Sequence, residues 1–180
     1  MAEKRLLDRF IDDGDQDAFQ ALIERHGPMV LGVCRSVLRD SHDVEDAFQM
    51  TFLSLARSAG KIKNRDYLGA WLHRVALRVA HDLRAKACAR NQRERVGTMF
   101  EPESAPESGL RDFVPLLHEE MGRLPERYRL PLMLHYFEGK STEETATQLR
   151  CPIGTVKGRL SRARDRLRDR FSRRGFTFPH

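Results

Sequence analysis

The sequence predicts an all-α protein made of two small helical domains, and three observations support this. Apolar residues recur at helical spacing over residues 15–95 and 113–171, and no segment alternates β-branched residues as a strand would. The segment between them, VGTMFEPESAPESGLRD, contains two prolines and two glycines with little to bury. We expect a first domain at residues 1–95, a flexible linker at 96–112, a second domain at 113–174 and a tail at 175–180.

Helical segments follow one another in the first domain. Asp40 or Ser41 is expected to cap a helix over residues 43–58, and residues 67–95 are expected to form one long helix. Before them lie two apolar stripes separated by Gly27-Pro28. Their members are Phe19, Leu22, Ile23 and His26, then Val30, Val33, Cys34 and Val37.

Proline and glycine punctuate the second domain. Pro125 is expected at the first position of a helix, Pro131 should kink that helix, and Gly139 should end it. Ser141 and Glu144 have the S-x-x-E spacing of a capping box, so the next helix should begin there.

The segment GKSTEETATQLRCPIGTVKGRLSRARDRLRDR predicts a helix–turn–helix with a basic second helix. Cys151-Pro152-Ile153-Gly154 interrupts the helical pattern, and an apolar face resumes at Val156, Leu160, Ala163 and Leu167. A short helix, a tight turn and a basic helix form the geometry that places side chains in the DNA major groove. A solvated basic helix packed on its own domain is the alternative.

Charge alternates along the chain, whose formal net charge is +6. Residues 1–50 and 96–149 each carry a net charge of −5, whereas residues 57–95 and 150–174 each carry +8. Two basic blocks separated by acidic ones predict two separate contacts with a polyanion.

Several classes of protein are disfavoured by the sequence. The chain has no apolar run long enough for a membrane span, and its start lacks the apolar core of a signal peptide. Three widely spaced cysteines indicate neither a disulfide framework nor a zinc site, so we expect a reducing cytoplasm. No metal, cofactor or catalytic motif is predicted, because Asp66, Asp82 and Glu94 are too dispersed for a nuclease-like carboxylate cluster.

The chain resembles the extracytoplasmic-function (ECF) group of bacterial RNA polymerase sigma factors, within the sigma-70 family. The matching segments are DVEDAFQMTFLSL at Asp43–Leu55, WLHRVALRVAHDLRAKACAR at Trp71–Arg90, and the stretch from Leu124 to Arg168. Their order, spacing and linker together are specific, whereas a lone helix–turn–helix would leave repressors, activators and recombinases open. The resemblance implies a region 2-like helical bundle followed by a region 4-like helix–turn–helix.

The resemblance also implies which residues contact DNA. Contacts to the −35 promoter element are expected from Thr155, Lys157, Gly158, Arg159, Ser161 and Arg162. Recognition and melting of the −10 element are expected from Lys61, Lys63, Asn64, Arg65, Tyr67, Trp71, Arg74, Arg78 and Arg84. Cationic side chains can bind the phosphate backbone of DNA, and aromatic side chains can stack on unstacked bases. Gly158, Arg78 and Arg150 depart from residues that are common in the family.

Core RNA polymerase is the partner that the resemblance implies. Asp46, Gln49 and Phe52 match the pattern that contacts the clamp of its largest subunit, although Met50 departs from that pattern. The second domain is expected to contact the flap region of the polymerase. An anti-sigma factor is a further implied partner. The expected function is a promoter-specificity subunit without catalytic activity of its own. The alternative is a stand-alone helix–turn–helix regulator with an N-terminal sensing domain.

Overall fold

The computed structural model describes residues 2–62, 64–95 and 110–176. Over these residues the chain is helical, and no strand occurs among them. The all-α prediction is therefore confirmed. The predicted Lys63 contact and most of the predicted linker lie outside the described residues.

Four helices form a first helical unit. They are α1 (Ala2–Asp13), α2 (Gln16–Val37), α3 (Ser41–Ser58) and α4 (Leu68–Arg95), with 3-10 turns at Ala59–Lys61 and Arg65–Tyr67 between α3 and α4. Asp40 caps α3 as predicted, because its carboxylate accepts from the backbone N–H groups of His42 and Asp43. Leu22, Val30, Leu55 and Leu72 are among the buried residues of one core that all four helices share.

The two apolar stripes before Asp40 belong to one continuous helix, α2. Pro28 lies inside that helix and is exposed to solvent, whereas Gly27 beside it is buried. A Cβ at Gly27 would lie 3.6 Å from the Phe48 ring, which is an ordinary contact distance between α2 and α3. Interior proline weakens a helix, and here burial of both flanking stripes maintains the helix across it.

Four more helices form a second helical unit around a separate core. They are α5 (Leu110–Gly122), α6 (Glu126–Leu132), α7 (Thr142–Leu149) and α8 (Ile153–Arg173). Helix α5 begins within the range predicted as linker. Buried members of this core include Met121, Tyr128, Leu160 and Phe171, and Phe176 from the predicted tail packs against it.

The prolines, the glycine and the capping box that punctuate the sequence of the second unit lie at the ends or irregular turns of its helices. A π-helical turn at Met133–Phe137 follows Pro131, and Gly139 adopts a positive φ of 66° just after that turn. Pro125 is the N-cap of α6, one position before the predicted one. The Ser141 hydroxyl accepts from the Glu144 N–H at 3.1 Å, and the Glu144 carboxylate accepts from the Ser141 N–H at 2.8 Å, which completes the capping box.

The turn between α7 and α8 is closed by Arg150 in the left-handed conformation. Its φ is 50°, and it is the only residue other than glycine with a positive φ among those described. The Cys151 N–H donates to the Ala146 carbonyl at 3.1 Å. This bond is typical of a helix C-terminus in which glycine usually takes the left-handed position. The departure of Arg150 from the family's turn glycine therefore leaves the turn geometry in place at the cost of local strain.

Candidate nucleic-acid interface

Helix α8 has an apolar face buried in the second core and a polar face open to solvent. Val156, Leu160, Ala163, Leu167 and Phe171 are buried at intervals of three or four residues. Lys157, Ser161 and Arg162 are exposed on the other side, in the N-terminal half of the helix. A recognition helix presents this half to base edges, so these three residues are well placed for direct readout.

The other predicted −35 residues are less open. Thr155, Gly158 and Arg159 are half-buried, and the Arg159 guanidinium lies 3.9 Å from the Cys151 sulfur in the turn. A Cβ at Gly158 would meet no heavy atom within 4 Å, so the space beside Gly158 on α8 is empty. Arg159 is thus held against the turn between α7 and α8.

A cleft of about 740 Å³ with several basic side chains runs between α4 of the first unit and the end of α5 in the second. The predicted −10 residues that line it are Lys61, Trp71, Arg74 and Arg78. A second cavity of about 230 Å³ shares part of this wall and also includes Asn64 and Tyr67. The structure therefore brings six predicted −10 residues onto one surface, while Arg84 lies exposed further along α4.

Helix α1 holds the segment that enters α4. The Arg65 guanidinium forms a half-buried ion pair with the Asp8 carboxylate of α1. Near the start of α1, the Glu3 carboxylate lies 2.7 Å from the His26 imidazole of α2, and both side chains are buried. Neither pair was predicted, because a contact between residues far apart in the chain leaves no local pattern.

The two aromatic candidates for base stacking differ in their surroundings. Trp71 is half-buried and packs against the first core, so one part of its indole faces the cleft. Tyr67 is half-buried against the second core, and its hydroxyl donates to the Gln148 carbonyl at 3.1 Å. Burial, followed by the charge of Asp66, raises the pKa of Tyr67.

Helix α3 carries the predicted polymerase-facing residues, and they divide between surface and core. Asp46 and Gln49 are exposed, as the interface prediction requires. Phe52 is only 4% exposed and belongs to the first core, so in this arrangement it offers almost no surface to a partner. Met50 and Leu53, exposed to 42% and 54%, complete the outer face instead.

The described residues contain no group of three or more His, Cys, Asp or Glu side chains arranged to hold a metal ion. Within the same part of the chain, no helix is long and apolar enough to cross a membrane. The two histidines that do meet, His73 and His118, are considered below.

Comparison with known proteins identifies both helical units. Residues 22–90 match the family model for sigma-70 region 2, and residues 116–167 match the model for sigma-70 region 4. The ECF RNA polymerase sigma factor SigM of Mycobacterium tuberculosis is 32% identical over 156 residues, which are 86% of this chain and 77% of that protein. The RNA polymerase sigma-H factor of Pseudomonas aeruginosa is 29% identical over 180 residues, covering 92% and 91% of the two chains.

Among solved structures, the chain is similar to CnrH in its complex with the cytosolic domain of CnrY. The TM-score is 0.47 at 25% identity, and the match covers 96% of this chain and 98% of CnrH.

The helical units and their exposed basic faces define a two-part DNA-recognition protein of the sigma class. The chain belongs to the ECF group of the sigma-70 family. Its function is that of a promoter-specificity subunit, whose partners are core RNA polymerase and promoter DNA. Because both units match the family, the alternative of a sensing domain joined to a helix–turn–helix is not supported.

Proposed function

We propose that the second unit reads the −35 element with Lys157, Ser161 and Arg162. The observation that carries this proposal is their joint exposure on the N-terminal half of α8, opposite a fully buried apolar face. Lysine and arginine in the major groove typically donate to guanine N7 and O6, whereas the serine hydroxyl can donate or accept. Thr155 and Arg159, in this proposal, contact the phosphate backbone of the DNA.

The first unit, in the same proposal, captures the opened −10 strand along the α4 cleft. Arg74 and Arg78 provide phosphate contacts, and Trp71 offers a partly exposed aromatic face. Stacking contributes about 1–3 kcal/mol per base, which is on the scale of the few kcal/mol needed to unstack one base. Such contacts can trap an opened base without a nucleotide-driven step.

Contacts with core polymerase are assigned to the outer face of α3. Asp46 and Gln49 supply polar groups, and Met50 with Leu53 supply apolar area, which is the usual combination at a protein interface. The family resemblance supports the clamp of the largest subunit as the surface that α3 meets and the flap as the surface that the second unit meets. It also supports an anti-sigma factor as a partner of the free chain.

The chain acts in the cytoplasm and contributes no catalytic group of its own. Catalysis in this proposal belongs to the polymerase, and the chain supplies recognition, positioning and strand capture.

Run-off transcription with core polymerase on a randomised promoter library tests the proposal. Arg162→Ala is expected to relax base preference at one −35 position, at a cost of roughly 1–3 kcal/mol, because a bidentate base contact is lost. Arg168→Ala is the matched control, since Arg168 is exposed on the same helix and only loosely paired with Asp165 at 3.5 Å.

The outcomes of this experiment separate two roles for Arg162. Equal loss on every promoter would make Arg162 a phosphate anchor and not a base reader. Failure of the unsubstituted chain to direct any transcription with core polymerase would reject the proposed function.

A further inference from the structure

Gly158 lies in the second turn of α8, at a position where glycine is unfavourable for the helix. Helix α8 runs from Ile153 to Arg173, and glycine inside a helix is less stable than alanine because its backbone loses more conformational freedom on folding. A Cβ built at Gly158 would meet no heavy atom within 4 Å. Alanine would therefore stabilise the helix at this position without a clash inside the protein.

Packing explains a helical glycine elsewhere in the second unit but not Gly158. A Cβ at Gly122, the last residue of α5, would lie 3.1 Å from the Leu77 side chain, which is closer than an ordinary contact. Gly158 has no such neighbour. Gly32 of α2 also has none, but only Gly158 lies on the helix that is proposed to enter the major groove. The absence of a side chain at Gly158 is therefore a property of the DNA-facing surface.

The residues around Gly158 include those proposed to read the −35 element. Neighbours on a helix surface lie three and four positions apart, so Ser161 and Arg162 border Gly158 on one side and Gly154 borders it on the other. All three are exposed. Helical side chains point back toward the N-terminus of their helix, so Ser161 and Arg162 extend toward the turn that contains Gly158. The empty space at Gly158 thus lies inside the surface that meets base edges.

An empty space about the size of one methyl group matches one feature of the major groove. Thymine presents its C5 methyl group there, whereas guanine, adenine and cytosine present hydrogen-bond donors and acceptors without a methyl group. Gly158 has no side chain that could bond a polar base edge, and a polar group buried without a partner is unfavourable. A thymine methyl group placed beside Gly158 gains apolar contact and loses no hydrogen bond.

We propose that Gly158 is a specificity-determining residue, which selects a thymine in the −35 element by leaving space for its methyl group. This inference rests on the proposed role of α8 in −35 recognition. Gly158 and Arg162 are separated by four residues, or about 6 Å of helix rise, and one base-pair step is about 3.4 Å. The selected thymine therefore lies within about two base pairs of the position that Arg162 reads.

Run-off transcription with core polymerase on the randomised promoter library locates this thymine. The unsubstituted chain should prefer thymine within about two base pairs of the position at which Arg162→Ala relaxes base choice. Uracil, which lacks the methyl group, then replaces that thymine in a synthetic promoter. At limiting chain concentration the activity should fall about fourfold, as expected when one methyl group loses its apolar contact.

Gly158→Ala fills the same space from the protein side. On the thymine promoter this variant should lower activity about tenfold, because two methyl groups then compete for one space. On the uracil promoter the alanine methyl group occupies the space that the thymine methyl group has left. Activity of Gly158→Ala should therefore return to within about threefold of that of the unsubstituted chain on thymine. A folding defect would lower activity equally on both promoters.

Urea denaturation separates base selection from an effect on stability. Gly158→Ala should raise the urea midpoint of the second unit, because alanine favours the helix and its Cβ meets nothing within 4 Å. Gly32→Ala is the matched control, since Gly32 is exposed within α2 and a Cβ there also meets nothing within 4 Å. The control should raise the urea midpoint of the first unit and leave activity on both promoters unchanged. Gly158→Ala is thus expected to be more stable and yet less active on the thymine promoter.

Equal activity of the unsubstituted chain on the thymine and uracil promoters overturns the inference. An equal loss for Gly158→Ala on both promoters also overturns it, because Gly158 would then allow the DNA backbone to approach without selecting a base. A chain whose −35-dependent transcription shows no thymine preference near the Arg162 position rejects only this inference. A chain that directs no transcription with core polymerase rejects the proposed function itself.

Discussion

Replacing Phe171 with alanine is expected to lower the free energy of unfolding of the second unit by about 3–5 kcal/mol, the usual cost of removing a buried phenylalanine. Phe171 is 2% exposed in the last turns of α8. Its ring centroid lies 4.8 Å from that of Phe113 in α5 and 6.0 Å from that of Phe176. A domain is typically stable by only about 5–15 kcal/mol, so this loss removes much of the margin.

The functional consequence follows from the position of Phe171 on the recognition helix. Without its anchor, α8 no longer holds a fixed orientation on α5, and −35-dependent transcription should fall with stability. Urea denaturation followed by circular dichroism measures the stability. Ser172→Ala, at the exposed neighbouring position, should change it by no more than about 0.5 kcal/mol. A loss below about 1 kcal/mol for Phe171→Ala would show that this ring does not hold the second core together.

Lowering the pH from about 7 to about 5 is expected to destabilise the packed chain through the His73–His118 pair. Burial, followed by the charges of His118 and Arg129, lowers the pKa of His73 to about 3. Burial also lowers the pKa of His118. Both imidazoles are therefore neutral when packed, whereas an exposed histidine titrates near about 6.5.

The direction of the pH effect follows from these shifts. The stability contributed by keeping the pair neutral is fully present above about pH 6.5 and is lost as the pH falls from there toward about 3, because the unfolded chain binds more protons. At about pH 5 the loss from His73 alone is about 2 kcal/mol, and His118 adds to it in the same direction.

Urea denaturation at the two pH values measures this effect. The double substitution His73→Phe, His118→Leu should reduce the difference between them, whereas His42→Gln, at an exposed position, should preserve it. An equal pH dependence in the double variant and in the unsubstituted chain would locate the acid sensitivity elsewhere.

Features governed by neighbouring residues could be predicted from the sequence. The Asp40 cap and the Ser141–Glu144 capping box depend on side chains within three positions of the backbone groups that they bond. The sequence also predicts an irregular helix at Pro131, which lacks an N–H, and a π-helical turn begins two residues after it. The family's motif order then predicted the two units and the exposed half of α8.

Features governed by packing between distant segments could not be predicted in this way. Helix α3 packs against both α2 and α4, so its buried face is wide, and periodicity alone did not show that Phe52 points inward while Leu53 points outward. The His73–His118 and Tyr67–Gln148 contacts join residues 45 and 81 positions apart, and neither leaves a local signal.

The Asp8 carboxylate makes Arg65 energetically different from Arg78 of α4, which is exposed. A DNA phosphate that reaches Arg65 must displace Asp8, so the complex gains only the difference between two ion pairs, whereas a phosphate at Arg78 replaces water and mobile salt ions. Arg65→Ala should therefore weaken binding of a random-sequence single-stranded 12-mer DNA less than Arg78→Ala does, and Asp8→Asn should strengthen that binding. Through Asp8, the first helix thereby tunes how strongly a promoter strand is held at Arg65.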